Sequence, residues 1–75
     1  MKELAHFLVK NLADQPEQVS VQDSEQAGAV TLKLVVAEED KGKIIGKKGK
    51  VIKAIRALVA AAGAKDGKKT AVDIE

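Results

Sequence analysis

Ile44-Ile45-Gly46-Lys47-Lys48-Gly49-Lys50-Val51-Ile52 is the stretch on which the reading of this sequence turns. Two glycines bracket two lysines, with an apolar pair ahead of them and the start of a helical pattern behind. Glycine tolerates backbone angles closed to other residues, and without a Cβ it holds no ligand away. A short loop of this composition between two helices would let a polyanion lie against peptide N–H groups. Lysines placed between the glycines can reach only solvent or a phosphate. The segment therefore reads as a grip on single-stranded nucleic acid.

Working outward from the loop, Val51, Ile52, Ile55, Leu58, Val59 and Ala62 fall on one stripe and predict a helix starting at Gly49. Gly63 is placed to end it as a left-handed cap. Upstream, Lys41 to Ile45 predicts a helix of one to two turns that stops at Gly46. Asp40 can accept a hydrogen bond from an early N–H of that helix, and acids at its start suit the helix dipole. Val30, Leu32, Leu34 and Val36 alternate with polar residues and predict a strand running to about Ala37. Val19 and Val21 mark a shorter strand, and Ser24 to Gly28 reads as the turn between the two.

Leu4, Phe7, Leu8 and Leu12 predict an amphipathic helix over about residues 2–13, with Phe7 in the core; Pro16 disfavours helix at Gln15. Lys65 to Lys69 forms an exit turn, and Val72 and Ile74 mark a last strand. The order is helix, strand, strand, short helix, loop, helix, strand, with no linker or repeat. It predicts one domain over residues 1–75, an α+β fold in which three helices cover one face of a three-stranded sheet and the other face is polar and wet.

Composition narrows the function. The net charge of +2 hides an asymmetry: residues 1–40 hold three basic and eight acidic side chains, whereas residues 41–75 hold ten basic and three acidic. Lys41 to Arg56 contains six lysines and one arginine and no acid, and this run coincides with the glycine loop. There is no cysteine, which excludes disulfides and thiolate metal sites and fits a reducing cytoplasm. No signal-peptide pattern is present at residues 1–15, and no apolar run approaches the roughly 20 residues of a membrane span. Phe7 is the sole aromatic residue, so any contact with bases is expected to be aliphatic or hydrogen-bonded rather than aromatic stacking.

Ile45-Gly46-Lys47-Lys48-Gly49 followed by Ile52, with Gly42 and Ile44 upstream, resembles the signature of a KH domain. The helix-first order is similar to the type II arrangement, whose sheet is mixed, and the likeness covers the whole chain, closest to the small bacterial single-KH proteins of the KhpA family. That resemblance implies an RNA-binding protein whose loop clamps the backbone of about four nucleotides. It implies that Gly46 and Gly49 give close approach, that Lys47 and Lys48 contact phosphates, and that Ile44, Ile45 and Ile52 floor the groove. Lys50 and Lys53, with Lys41 and Lys43, would broaden the positive rim. It implies self-association or pairing with a larger KH-containing partner, and a role in RNA chaperoning or post-transcriptional regulation. RNA and single-stranded DNA are not separated by these residues.

Other chemistries fit less well. Gly42 and Gly46-Lys47 suggest a nucleotide-binding P-loop, but three residues separate the glycines where four are required. Lys48 also stands where a magnesium-binding Ser or Thr belongs. No nucleophile, base and orienting group can be assembled, so no enzyme, cofactor, metal or small-molecule substrate is expected. His6 is the lone histidine, placed on the polar side of the first helix. Duplex DNA reading would need a groove-fitting element with base-reading Arg, Asn or Gln, which the chain lacks. The main alternative is an interaction module, because Ala57, Ala60, Ala61, Ala62 and Ala64 make the end of the long helix small-sided, although alanine is also simply the best helix former.

Overall fold

A computed structural model describes residues 1–75. The elements are α1 (Lys2–Leu12), β1 (Ser20–Gln26), β2 (Ala29–Val35), α2 (Lys41–Ile45), α3 (Lys50–Lys65) and β3 (Lys69–Ile74), with short 3₁₀ turns at Pro16–Gln18, Glu38–Asp40 and Lys47–Gly49. The sheet order is β1-β2-β3; β1 and β2 are antiparallel, and β2 and β3 are parallel. The sheet is therefore mixed, as the type II order implies. No helix is long and apolar enough to cross a membrane.

Alternation along β2 sets the layers. Val30, Leu32 and Leu34 are buried, while Thr31 and Lys33 are exposed on the opposite face. Ala5 and Val9 of α1, Ile44 of α2, and Ile52, Ile55 and Val59 of α3 join them in one core together with Val19, Val21, Val36 and Val72. The polar face, with Gln22, Ser24, Thr31, Lys33, Ala71 and Asp73, is open to solvent.

Four expectations change. Phe7 is 63% exposed and lies outside the core. The helix meets the sheet through Ala5 and Val9, whose small side chains allow a close approach. Phe7 follows Ala5 by about 200° of rotation and so points away. Leu12 and Leu58 are likewise exposed, Leu58 because the buried line of α3 runs through Ile52, Ile55, Val59 and Gly63 instead.

β1 continues through the polar stretch to Gln26, and only Ala27 and Gly28 turn the chain. Both have positive φ (53° and 80°), the two-residue hairpin turn whose twist suits the flanking strands. Beyond Val21 every β1 residue is exposed, so this half shows no apolar alternation to read.

Gly63 does not end α3, which runs on to Lys65; the positive φ comes at Gly67. Gly63 instead permits contact: a Cβ there would lie 2.5 Å from Thr70 Cγ2 and 3.1 Å from Met1 Sδ. Asp40, finally, caps no helix. Its carboxylate is buried and accepts the backbone N–H groups of Asp14 (3.0 Å) and Gln15 (2.9 Å), tying the end of α1 to the start of α2.

Candidate nucleic-acid interface

α2 ends where the sequence places its end, and the reason is steric. Gly46 has φ 77° and ψ 172°. A Cβ on it would lie 2.7 Å from Val51 Cβ and 2.8 Å from Val51 N, so no other residue fits. The chain then makes a single 3₁₀ turn with Lys48 (φ 57°) and Gly49 (φ 74°) both left-handed, and α3 begins at Lys50 rather than at Gly49. A left-handed lysine is uncommon and mildly strained. The glycine spacing alone gave no sign of it.

The turn uses some of its own amides. Gly46 N–H donates to Gly42 O (2.8 Å), Gly49 N–H to Gly46 O (3.1 Å) and Lys50 N–H to Lys47 O. The N–H groups of Lys47 and Lys48 have no backbone acceptor. Bare donors thus lie in the middle of the loop, just ahead of the first turn of the following helix. Both lysine side chains are exposed. Around Gly49 an added Cβ would meet nothing nearer than Ile52 Cγ2 at 3.9 Å, so an incoming group finds open space there.

The cations divide into two sets. Lys41 pairs with Glu38 (3.0 Å) and Lys43 with Asp14 (2.5 Å). The hydrogen bond that the Lys43 ammonium donates to the Asp14 carboxylate holds it above its ordinary value of 10.5, helped by the charges of Asp14 and Asp40. The neighbouring acids offset part of the positive charge that these two lysines lend the rim. Lys47, Lys48, Lys50 and Lys53 belong to none of the four ion pairs in the molecule and are all exposed.

The isoleucines divide too. Ile44 has no exposed surface and Ile52 only 6%, so they support the loop from beneath and offer no face to bases. Ile45 is 41% exposed beside Gly46 and is the one aliphatic floor residue of the three that a ligand can touch. His6 is half-buried beside β1, away from this loop, and no cluster of His, Cys, Asp and Glu has the makings of a metal site. The site is a small open cationic corner with two free amides and an aliphatic neighbour.

A family model described as the KH domain of KhpA/KhpB matches residues 2–74. The chain belongs to the KhpA/KhpB KH-domain family. It is 46% identical over 74 residues to the RNA-binding protein KhpA of Clostridium perfringens, covering 99% of both chains. Identity to the KhpA of Listeria monocytogenes is also 46%, over 99% of this chain and 97% of that one. Among solved structures, Aquifex aeolicus Era bound to GDP·AlF4⁻ superposes on 99% of this chain and 30% of its own, with a TM-score of 0.63 at 21% identity, which establishes a shared fold. Gly46 to Gly49, the corner described above, lies within the matched residues.

Proposed function

We propose that this protein binds single-stranded RNA, seating the sugar-phosphate backbone on the Gly46–Gly49 turn. The observation that carries the reading is the coincidence of two unpaired amides, two exposed lysines and a glycine-enforced bend in one uncluttered place. Lys47 and Lys48 meet phosphates as mobile point charges, Gly46 and Gly49 admit the backbone, and Ile45 lies beneath the first base. Lys50 and Lys53 extend the positive field without fixing register. Ile44 and Ile52 act only as supports. The names of the relatives, RNA-binding protein KhpA, agree with this reading. The protein acts by binding rather than by catalysis, and in the cytoplasm. Its contacts are mostly to the backbone, so sequence preference is weak.

One copy offers few contacts, and non-specific electrostatic binding typically lies near 10⁻⁴–10⁻⁶ M at physiological salt. Association with a second copy, or with a larger KH-containing protein, would raise the effective concentration of loops. Exposed Leu58, with the small residues Ala54, Ala57 and Ala61 within about a turn of it on α3, supplies an apolar surface suited to that.

The test replaces Lys47 and Lys48 together by Asp, a residue that tolerates the left-handed conformation of position 48. Binding of a short single-stranded RNA is then followed across salt concentrations. Affinity should fall, and the log–log salt slope should shrink by about 1.4, two phosphates' worth for a single strand. Helix and strand content should not change. A folded variant with unaltered affinity would discard the loop as the binding site.

A further inference from the structure

The two edges of the sheet are not equivalent. Glu75 N–H donates to Leu34 O (2.9 Å) and Lys69 N–H to Gly28 O (3.1 Å), so even-numbered residues of β2 face odd-numbered residues at β3. The carbonyls of Thr70, Val72 and Ile74 therefore point outward from that edge. Arg56 of α3 reaches across and donates its Nε to Val72 O at 3.0 Å, filling the middle of the edge with a side chain. A charged residue laid over an edge is one of the ways proteins keep strands from adding there.

The β1 edge has no such cover. Odd-numbered β2 residues face β1, whose register pairs them with Ser20, Gln22, Ser24 and Gln26. The N–H and C=O groups of Val21, Asp23 and Glu25 consequently point away from the sheet, and no side chain hydrogen-bonds to them. Directly behind this edge, between α1 and β1, runs a groove of about 590 Å³ lined by Lys2, His6, Phe7, Lys10, Val19 and Val21. Phe7, the only phenylalanine in the protein, stands on its rim, 63% exposed.

The geometry points to β1 as a docking edge for an extended segment of another polypeptide, added as a fourth strand. Charge selects the occupant. β1 carries Asp23 and Glu25 and no base, and both remain about half exposed although Lys2 and Lys68 touch them. Facing acids would oppose pairing of β1 with β1 of a second copy, and Arg56 obstructs pairing of β1 with β3. The same acids repel a phosphate backbone. The segment that fits bears apolar side chains opposite Val19 and Val21, packed against Phe7, and lysine or arginine opposite Asp23 and Glu25. Backbone hydrogen bonds would hold it, and the alternate side chains would choose it.

The test titrates the ¹⁵N-labelled protein with the peptide Thr-Lys-Thr-Lys-Thr-Val-Thr-Val-Thr, suited to antiparallel addition, and with its reverse, suited to parallel addition. Slowed solvent exchange and shifted amides at Val21, Asp23 and Glu25 with either peptide are the expected result. Replacing both lysines of the peptide by glutamates should weaken binding by about tenfold, through two repulsive cross-strand pairs. Phe7→Ser, at an exposed position that leaves the core intact, should weaken it as well. Asp23→Pro removes an outward N–H that β2 does not use and should abolish it; if that variant does not fold, Phe7→Ser carries the comparison. Absence of protection at those three amides with both peptides overturns the assignment. So does protection at β3 instead, equal binding of the glutamate peptide, or the same shifts produced by single-stranded RNA.

Discussion

At the scale of single residues, the glycines in and around the loop do different work. Gly42 sits in α2 with ordinary angles, and a Cβ there would meet nothing within 4 Å. Gly46 has a backbone only glycine accepts and a neighbour, Val51, already in the space of a side chain. Gly42→Ala should therefore stabilise the protein by about 0.5–1 kcal/mol through helix propensity. Gly46→Ala should cost at least about 2 kcal/mol from strain and overlap, and should reduce RNA affinity with it. Thermal unfolding of the two variants side by side separates these outcomes. The role of Gly46 was legible in the sequence because its spacing and flanking isoleucines are local signals. That of Gly63 was not, because what demands its lack of a side chain is contact with Thr70 and Met1, remote along the chain.

At the scale of elements, α2 is five residues long and cannot hold itself in place. Its starting point is fixed by Asp40, the one buried charged residue, which takes two amide protons from the segment after α1. Lys43 to Asp14 and Gln15 Nε2 to Glu39 (2.8 Å) bridge the same two segments at the surface. Asp40→Asn keeps the shape but turns an amide group toward an N–H that needs an acceptor. It should cost about 2 kcal/mol, and because α2 leads directly into the loop, RNA affinity of the still-folded protein should fall too. Chemical denaturation and binding measured on one preparation check both. The bounds of α2 could be read from its sequence. The purpose of Asp40 could not, since its partners lie some 25 residues away and a lone acid before a helix reads first as a cap. The second half of β1 was hidden for a related reason: as an exposed edge it carries no apolar alternation.

At the scale of the whole molecule, which measures 34 × 23 × 17 Å, charge and apolarity are sorted onto different surfaces. Four unpaired lysines, Lys47, Lys48, Lys50 and Lys53, gather at the loop and the start of α3, acids dominate the first half of the chain, and exposed Leu12 and Leu58 lie on helices, away from the polar sheet face. Leu58 is half exposed, so Leu58→Glu should leave the fold unaltered. If copies meet through this surface, sedimentation of the variant should show a smaller species, and apparent RNA affinity should fall while the salt dependence per loop stays the same. An unchanged sedimentation profile would place any association elsewhere. The overall architecture was readable from element order and periodicity. Which apolar side chains stay outside was not: Phe7 and Leu58 obey the same helical spacing as core residues, and only the line along which each helix meets its neighbours tells them apart.

The parallel pairing of β2 with β3 has a further bearing on the loop. A parallel neighbour can be reached only by a long return journey, and here that journey is α2, the bend and α3, spanning the register from Leu34 to Ile74. The Gly46–Gly49 corner is thus the point where the polypeptide reverses so that its last strand can come home. The bend must form for the sheet to be completed, so the shape offered to a nucleic acid is secured by the closing of the fold itself.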